Sequence, residues 1–127
     1  MNTVQTLFIG TAPEVTEALK KTLKSEGIEY RLSIVEGTGE VYSLKQKDYQ
    51  FIFIQSNIQS SKIVRELNQL KLHFPQSKIV LISPKIDMGL ALKALRTGLF
   101  DILPFPLDEL HLEEFGERLK LVSAPTS

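Results

Sequence analysis

The sequence predicts one α/β domain built on a five-stranded parallel sheet, doubly wound with helices on both faces. Three observations carry that expectation. Short apolar runs and amphipathic helical patterns alternate five times along the chain, which is the signature of strand–helix units joined by right-handed crossovers. The central run, YQFIFI from Tyr49 to Ile54, is apolar almost throughout, as a strand covered on both faces should be. A length of 127 residues with 43% hydrophobic content suits one compact domain with a real core and leaves no room for a second.

Taken in order, VQTLFIG reads as the first strand. The following TAPEVTEALKKTLKSEG is a helix: Thr11 and Glu14 have capping-box spacing, Pro13 sits in the first turn, and Val15, Ala18, Leu19, Thr22 and Leu23 form one apolar face. Gly27 ends it as a left-handed cap. IEYRLSIV alternates, as a half-exposed strand near a sheet edge does, and EGTGE then turns into a short helix through Val41 and Leu44. The strand YQFIFI stops at Gln55. Ser60 or Ser61 is placed to cap a third helix running to Phe74, with Ile63, Val64, Leu67 and Leu70 inward and Pro75 as its stop. KIVLIS is the fourth strand, Asp87 to Thr97 the fourth helix and LFDIL the fifth strand. Asp108 caps a last helix that contains Leu112, Phe115 and Leu119. The domain is expected over residues 1–121. From 122 to 127 the periodicity is lost and Ser, Pro and Thr accumulate, as in a frayed end or the start of a linker.

Composition excludes several classes. Fifteen basic residues balance fifteen acidic ones, so no net field attracts nucleic acid or an anionic membrane. Without cysteine there is neither a disulfide framework nor a thiolate metal site. No apolar run approaches membrane-spanning length and the N-terminus lacks the form of a signal peptide, so a cytoplasmic location is expected. His73 and His111 lie far apart without a spaced second ligand and are expected at the surface. The lone Gly-x-Gly of EGTGE is a turn, because no strand-to-helix fingerprint surrounds it.

In a sheet of this kind the carboxyl ends of the first, third, fourth and fifth strands converge on one crevice. Those ends are Gly10 with Thr11, Gln55, Ser83 and Phe105. The segments LFIGTAPEVTEALKKTLKSEG, YQFIFIQSNIQ, KIVLISPK and above all ALRTGLFDILPFPLDEL together resemble the receiver domain of bacterial two-component response regulators over nearly the whole chain. Phe100, Asp101 and Pro104 look most like the branch attached to ring-shaped ATPase activators of transcription. The resemblance implies a flavodoxin-like sheet of order 2-1-3-4-5. It places the family's two metal-binding acids at Gly10 and Thr11, its phosphoacceptor aspartate at Gln55, its switch hydroxyl at Ser83, its switch aromatic at Ile102, and its lysine at Phe105 before a cis-proline at Pro106.

Only Ser83 and Pro106 match that pattern. An aspartate accepts a phosphoryl group because its carboxylate is a nucleophile, whereas a glutamine amide is neutral and a poor attacker. Mg²⁺ prefers anionic oxygens and the transferring phosphoryl needs a cationic clamp, and Gly10, Thr11 and Phe105 supply neither. The expectation is a degenerate receiver with no catalytic residue, no metal and no cofactor. Gln55 is then either a solvated strand end or a lock bonded to Ser83 or to loop amides, and Phe105 either fills the vacated pocket or anchors a partner. Flavin binding, which the topology alone would allow, is opposed by Pro13 and Glu14 where a phosphate would sit.

The resulting functional expectation is a non-phosphorylatable signalling module that works through protein contacts. Its partner, a different protein or a second copy, is expected on the face of the fourth helix, fifth strand and last helix, through Lys93, Arg96, an exposed Phe100, Ile102 and Pro104. Two alternatives are a small-ligand binder that reuses the crevice and the N-terminal regulatory domain of a larger transcription regulator.

Overall fold

The computed structural model describes residues 3–45, 48–56, 62–84 and 86–123. Its elements run β1 (Val4–Ile9), α1 (Pro13–Ser25), β2 (Tyr30–Val35), α2 (Thr38–Val41), β3 (Phe51–Gln55), α3 (Ile63–His73), β4 (Lys78–Ser83), α4 (Met88–Leu95), β5 (Asp101–Pro104) and α5 (Glu109–Ser123). The five strands form one sheet in the order β2-β1-β3-β4-β5, and every neighbouring pair is parallel.

The core explains why β3 and β4 are apolar without alternation. Successive side chains of a strand point to opposite faces, and both faces here are covered. Ile52, Ile54 and Leu81 join a cluster with Leu67, Leu70, Phe74 and Ala94 on the side of α2, α3 and α4. Phe53, Val80 and Ile82 join Phe8, Val15, Leu19, Phe115 and Leu119 on the side of α1 and α5. On that second side the Phe53 and Phe115 rings meet edge to face with centroids 5.8 Å apart. At the sheet edge β2 is half exposed, with Val35 buried, as expected of an edge strand.

Helix ends show where local chemistry decided and where it did not. After α1, Gly27 adopts φ +71°. Its N–H donates to the Lys24 carbonyl at 3.0 Å while Ile28 N–H donates to the Leu23 carbonyl at 2.9 Å, the paired bonds of a Schellman motif. At the other end the Thr11–Glu14 capping box is not made. Ala12 occupies the N-cap position with no side-chain cap bond and Pro13 opens the helix, so Thr11 lies one residue too early to cap. α5 follows its sequence signal: the His111 N–H donates to Asp108 Oδ1 at 2.8 Å, and His111 Nδ1 lies 2.7 Å from Asp108 Oδ2. α4 is shorter than its pattern suggested and β5 begins at Asp101, because Gly98 at φ +99° turns the chain between them. α5 continues to Ser123, past the expected boundary at residue 121. Ser60 and Ser61 lie outside the described residues. Among the described residues no helix is long and apolar enough to cross a membrane.

Candidate functional site

Register builds the crevice. β1 pairs with β3 so that Ile9 lies opposite Ile54, which sets Gly10 beside Gln55 as both strands end. Gln55 in turn lies opposite Ile82, and Ser83 opposite Pro104. Gly10, Gln55, Ser83 and the chain entering Phe105 therefore stand side by side along the carboxyl edge of the sheet.

The contact between Gly10 and Gln55 is unusually close. A Cβ added at Gly10 would fall 2.9 Å from Gln55 Cβ, 2.9 Å from Gln55 Oε1 and 2.9 Å from Phe8 Cε2. Only a residue without a side chain fits there. From this position Gln55 Oε1 accepts a hydrogen bond from the Ala12 N–H at 3.3 Å. The glutamine thus bonds a loop amide at the entrance to α1, and it does so from the adjacent strand. This bond supplies a partner for the N-cap amide, one of the donors at the helix start that the helix itself leaves unpaired.

Ser83 is fully buried, and its carbonyl accepts from the Phe105 N–H at 2.8 Å. The preceding residue, Pro104, has no N–H to give. Phe105 is half-buried against the cluster on the α1 and α5 side, and the Phe105–Pro106 peptide is cis. Thr11 is exposed. Among the described residues no three His, Asp or Glu side chains gather in a way that would hold a metal. The divalent cation that the receiver resemblance implies does not fit this site. Gly10 has no room for a carboxylate, Gln55 is a neutral amide already engaged by Ala12, and Phe105 brings carbon where the family pattern brings a cation.

The five residues expected to form an interaction surface do not share one face. Phe100 is half-buried on the α1 and α5 side, its ring edge to face with Phe51 at 5.9 Å. Ile102 packs into the opposite cluster. Lys93 and Arg96 are exposed on and just after α4, and Pro104 is half-buried. The expectation of an exposed Phe100 failed because the chain turns at Gly98 and drops the ring onto β3 before β5 begins. His73 also departs from expectation. It lies half-buried between Tyr42 and Phe74, with ring centroids at 4.9 Å and 4.7 Å. Burial, with Glu66 adding to it, pushes the Tyr42 phenol above its ordinary pKa. Two features at the β5 edge were not anticipated: Arg118 Nε donates to Asp101 Oδ2 at 2.9 Å, and α4 turns Met88, Leu92 and Leu95 outward. The second was legible in MGLALKAL, which is apolar around most of its circumference.

A response regulator from Thermotoga maritima superposes with a TM-score of 0.79 at 17% identity, covering 98% of this chain and 100% of that one. The chain has the fold of a response-regulator receiver domain. The pilus assembly protein CpaE from Caulobacter crescentus shares the receiver fold with a TM-score of 0.73 at 16% identity, over 91% of this chain and 92% of its own. In sequence, the C4-dicarboxylate transport transcriptional regulatory protein DctD of Pseudomonas aeruginosa is 27% identical over 112 residues. That match takes in 84% of this chain and spans about a quarter of the regulator's length, 23%. No protein-family model matches the chain.

Proposed function

We propose that this receiver fold is a signalling module that takes up no phosphoryl group and acts through protein contacts. One observation carries the reading: Gln55 stands at the strand end where the family pattern has its acceptor, spends its Oε1 on the Ala12 amide and leaves no space for a carboxylate at Gly10. An amide has neither the charge nor the lone-pair basicity to attack phosphorus. Nor does the pocket offer a clamp for the equatorial oxygens.

Reuse of the crevice for a small ligand has less support. The cleft beside the β1–α1 loop, lined by Gly10, Thr11, Pro13, Ile34 and Glu36, holds ≈ 240 Å³, below the about 300 Å³ at which ligand pockets usually begin. The 23% share of DctD that the match spans supports a place as one regulatory domain of a larger transcription regulator, and the CpaE likeness makes a pilus assembly protein the second setting to test.

Incubation with acetyl phosphate and Mg²⁺ followed by intact-mass spectrometry tests the chemistry. The expected outcome is no labile phosphoryl adduct, for the native chain and equally for Gln55→Asp, since the metal acids and the lysine remain missing. An adduct on the native chain would overturn the reading.

A further inference from the structure

We propose that the outer edge of β2 pairs with itself: the β2 strands of two copies of this chain join antiparallel about a two-fold axis at Leu32 and run one sheet into the other. The inference names a partner and an edge for the proposed contact module, on the side of the sheet away from β5, and rests on that reading only in taking protein contacts as the output.

The direction of the backbone groups is the first observation. β2 is the last strand on its side of the sheet, and its register with β1 is unbroken from Val4 beside Tyr30 to Ile9 beside Val35. At one end of this ladder Val4 N–H donates to the Glu29 carbonyl at 2.8 Å, and at the other Gly10 N–H donates to the Val35 carbonyl at 2.9 Å. Since the N–H and C=O of one strand residue point to the same side and those of the next to the opposite side, Glu29, Arg31, Ser33 and Val35 face β1. Tyr30, Leu32 and Ile34 therefore hold theirs outward. Among the described residues no backbone group pairs with these three.

An edge of this kind templates pairing unless proline, a bulge, shortness or charge blunts it. β5, at the other edge, is four residues long, ends on Pro104 and carries the Asp101–Arg118 pair. β2 has six residues, no proline and a single charge, Arg31. Its side chains are left open as well: Tyr30 and Leu32 are half-buried against the cluster on the α1 and α5 side, and Ile34 is 51% exposed.

Two closed pairings exist for a second copy. A two-fold axis parallel to the strands sets each outward N–H level with the same N–H of the other copy, donor against donor, and no ladder forms. An axis perpendicular to the sheet makes the strands antiparallel. Centred on Leu32, it lets the two Leu32 residues exchange N–H···O bonds and pairs each Tyr30 with the second copy's Ile34, so every outward group of these residues finds a partner. The side chains suit this register. Tyr30 beside Ile34 is an aromatic and β-branched pair, favoured across strands, and it covers the exposed isoleucine. On the opposite face Arg31 stands opposite Ser33. Moving the axis to Arg31 would oppose that charge to its own equivalent and engage Ile28, whose N–H is already given to the Leu23 carbonyl. Moving it to Ser33 would place Tyr30 opposite Glu36, beyond the end of β2. The ladder buries much less than the about 800 Å² per partner of a standard interface, so the dimer is weak, with Kd on the order of 0.1 mM.

Amide hydrogen exchange read by NMR on the full chain, at about 0.05 mM and about 2 mM, brackets that Kd. The amides of Tyr30, Leu32 and Ile34 are expected to exchange about fourfold more slowly at the higher concentration, as mass action requires, while Arg31 and Ser33, already bonded to β1, do not change. Ile34→Pro removes an outward donor and no β1 bond, and Ile34→Lys places a charge on the edge with the backbone intact. Each should weaken self-association in sedimentation at least about tenfold, because the loss occurs twice across the axis. The chain contains no cysteine, so an introduced thiol reports alone. Antiparallel partners at a bonded pair lie about 5.5 Å apart between Cα atoms, within disulfide range, so Leu32→Cys should dimerise faster than Leu92→Cys on α4. Exchange at the three amides that ignores concentration, self-association unchanged in both Ile34 variants, or faster dimerisation of Leu92→Cys would each overturn the proposal. Phosphoryl uptake is read in a separate assay, so its outcome and this one fail independently.

Discussion

At the scale of single residues, the site is defined by two positions that constrain each other. Gln55 lies against Gly10 so closely that the space for a side chain at residue 10 is already filled. Gly10→Ala is therefore expected to cost about 1–3 kcal/mol, as overpacking of a tight site does. Truncating the neighbour relieves part of that strain, so Gly10→Ala combined with Gln55→Ala should lose less than the two single changes summed. Urea denaturation of the four-member cycle measures the coupling, and strict additivity would mean that the close approach carries no energy. The sequence located both residues at the strand ends, but it left Gln55 undecided between a solvated end and a lock. Only the distance from Oε1 to the Ala12 amide separates those readings, and a distance between residues 43 positions apart is not written in either of them.

Among elements, the two long helices on one face show why helix ends are unevenly readable. The cap of α5 is local, with Asp108 and His111 three residues apart and bonded twice. The His111 N–H, and then its side chain, hold the Asp108 carboxyl below its ordinary pKa. A carboxyl whose folded pKa is depressed contributes stability that is present above the unfolded value and lost as pH falls through the folded one. Asp108→Ala should accordingly lower the melting temperature at neutral pH, Asp108→Asn should lower it less because an acceptor remains, and the difference from native should vanish in acid below the ordinary Asp range. Circular dichroism melts across pH check this. At α1 the same kind of signal misled, since Thr11 and Glu14 have the spacing of a capping box while the helix begins at Pro13 and the amide of the N-cap residue, Ala12, is bonded from β3. A tertiary partner outcompeted the local one.

For the whole molecule, one sheet with two covered faces sorts residues that look alike in sequence. Phe100 and Leu92 are both apolar, both near β5 and eight positions apart. Phe100 is half-buried, its ring on Phe51 against the cluster of α1 and α5, whereas Leu92 is 51% exposed. Replacing Phe100 with Asp should cost about 2 kcal/mol or more by leaving a charge against the core, and Leu92→Glu should stay within about 0.5 kcal/mol. Chemical unfolding of the two variants separates them. A loss of partner binding in Phe100→Asp would thus report unfolding as readily as contact.

The sequence by itself determined the strand and helix order, the parallel sheet and the residues at its carboxyl edge, because those follow from periodicity, turn residues and the limited ways a right-handed crossover can be made. It also put an amide, a glycine and a phenylalanine at the positions where the receiver resemblance places carboxylates and a cation. Tertiary structure alone decided that Gln55 bonds the amide at the entrance to α1, that Phe100 packs half-buried against the core and that α4 turns Met88, Leu92 and Leu95 outward. Each of these depends on which distant segment lies alongside, and burial is a property of the packed sheet and its helices rather than of any residue within them.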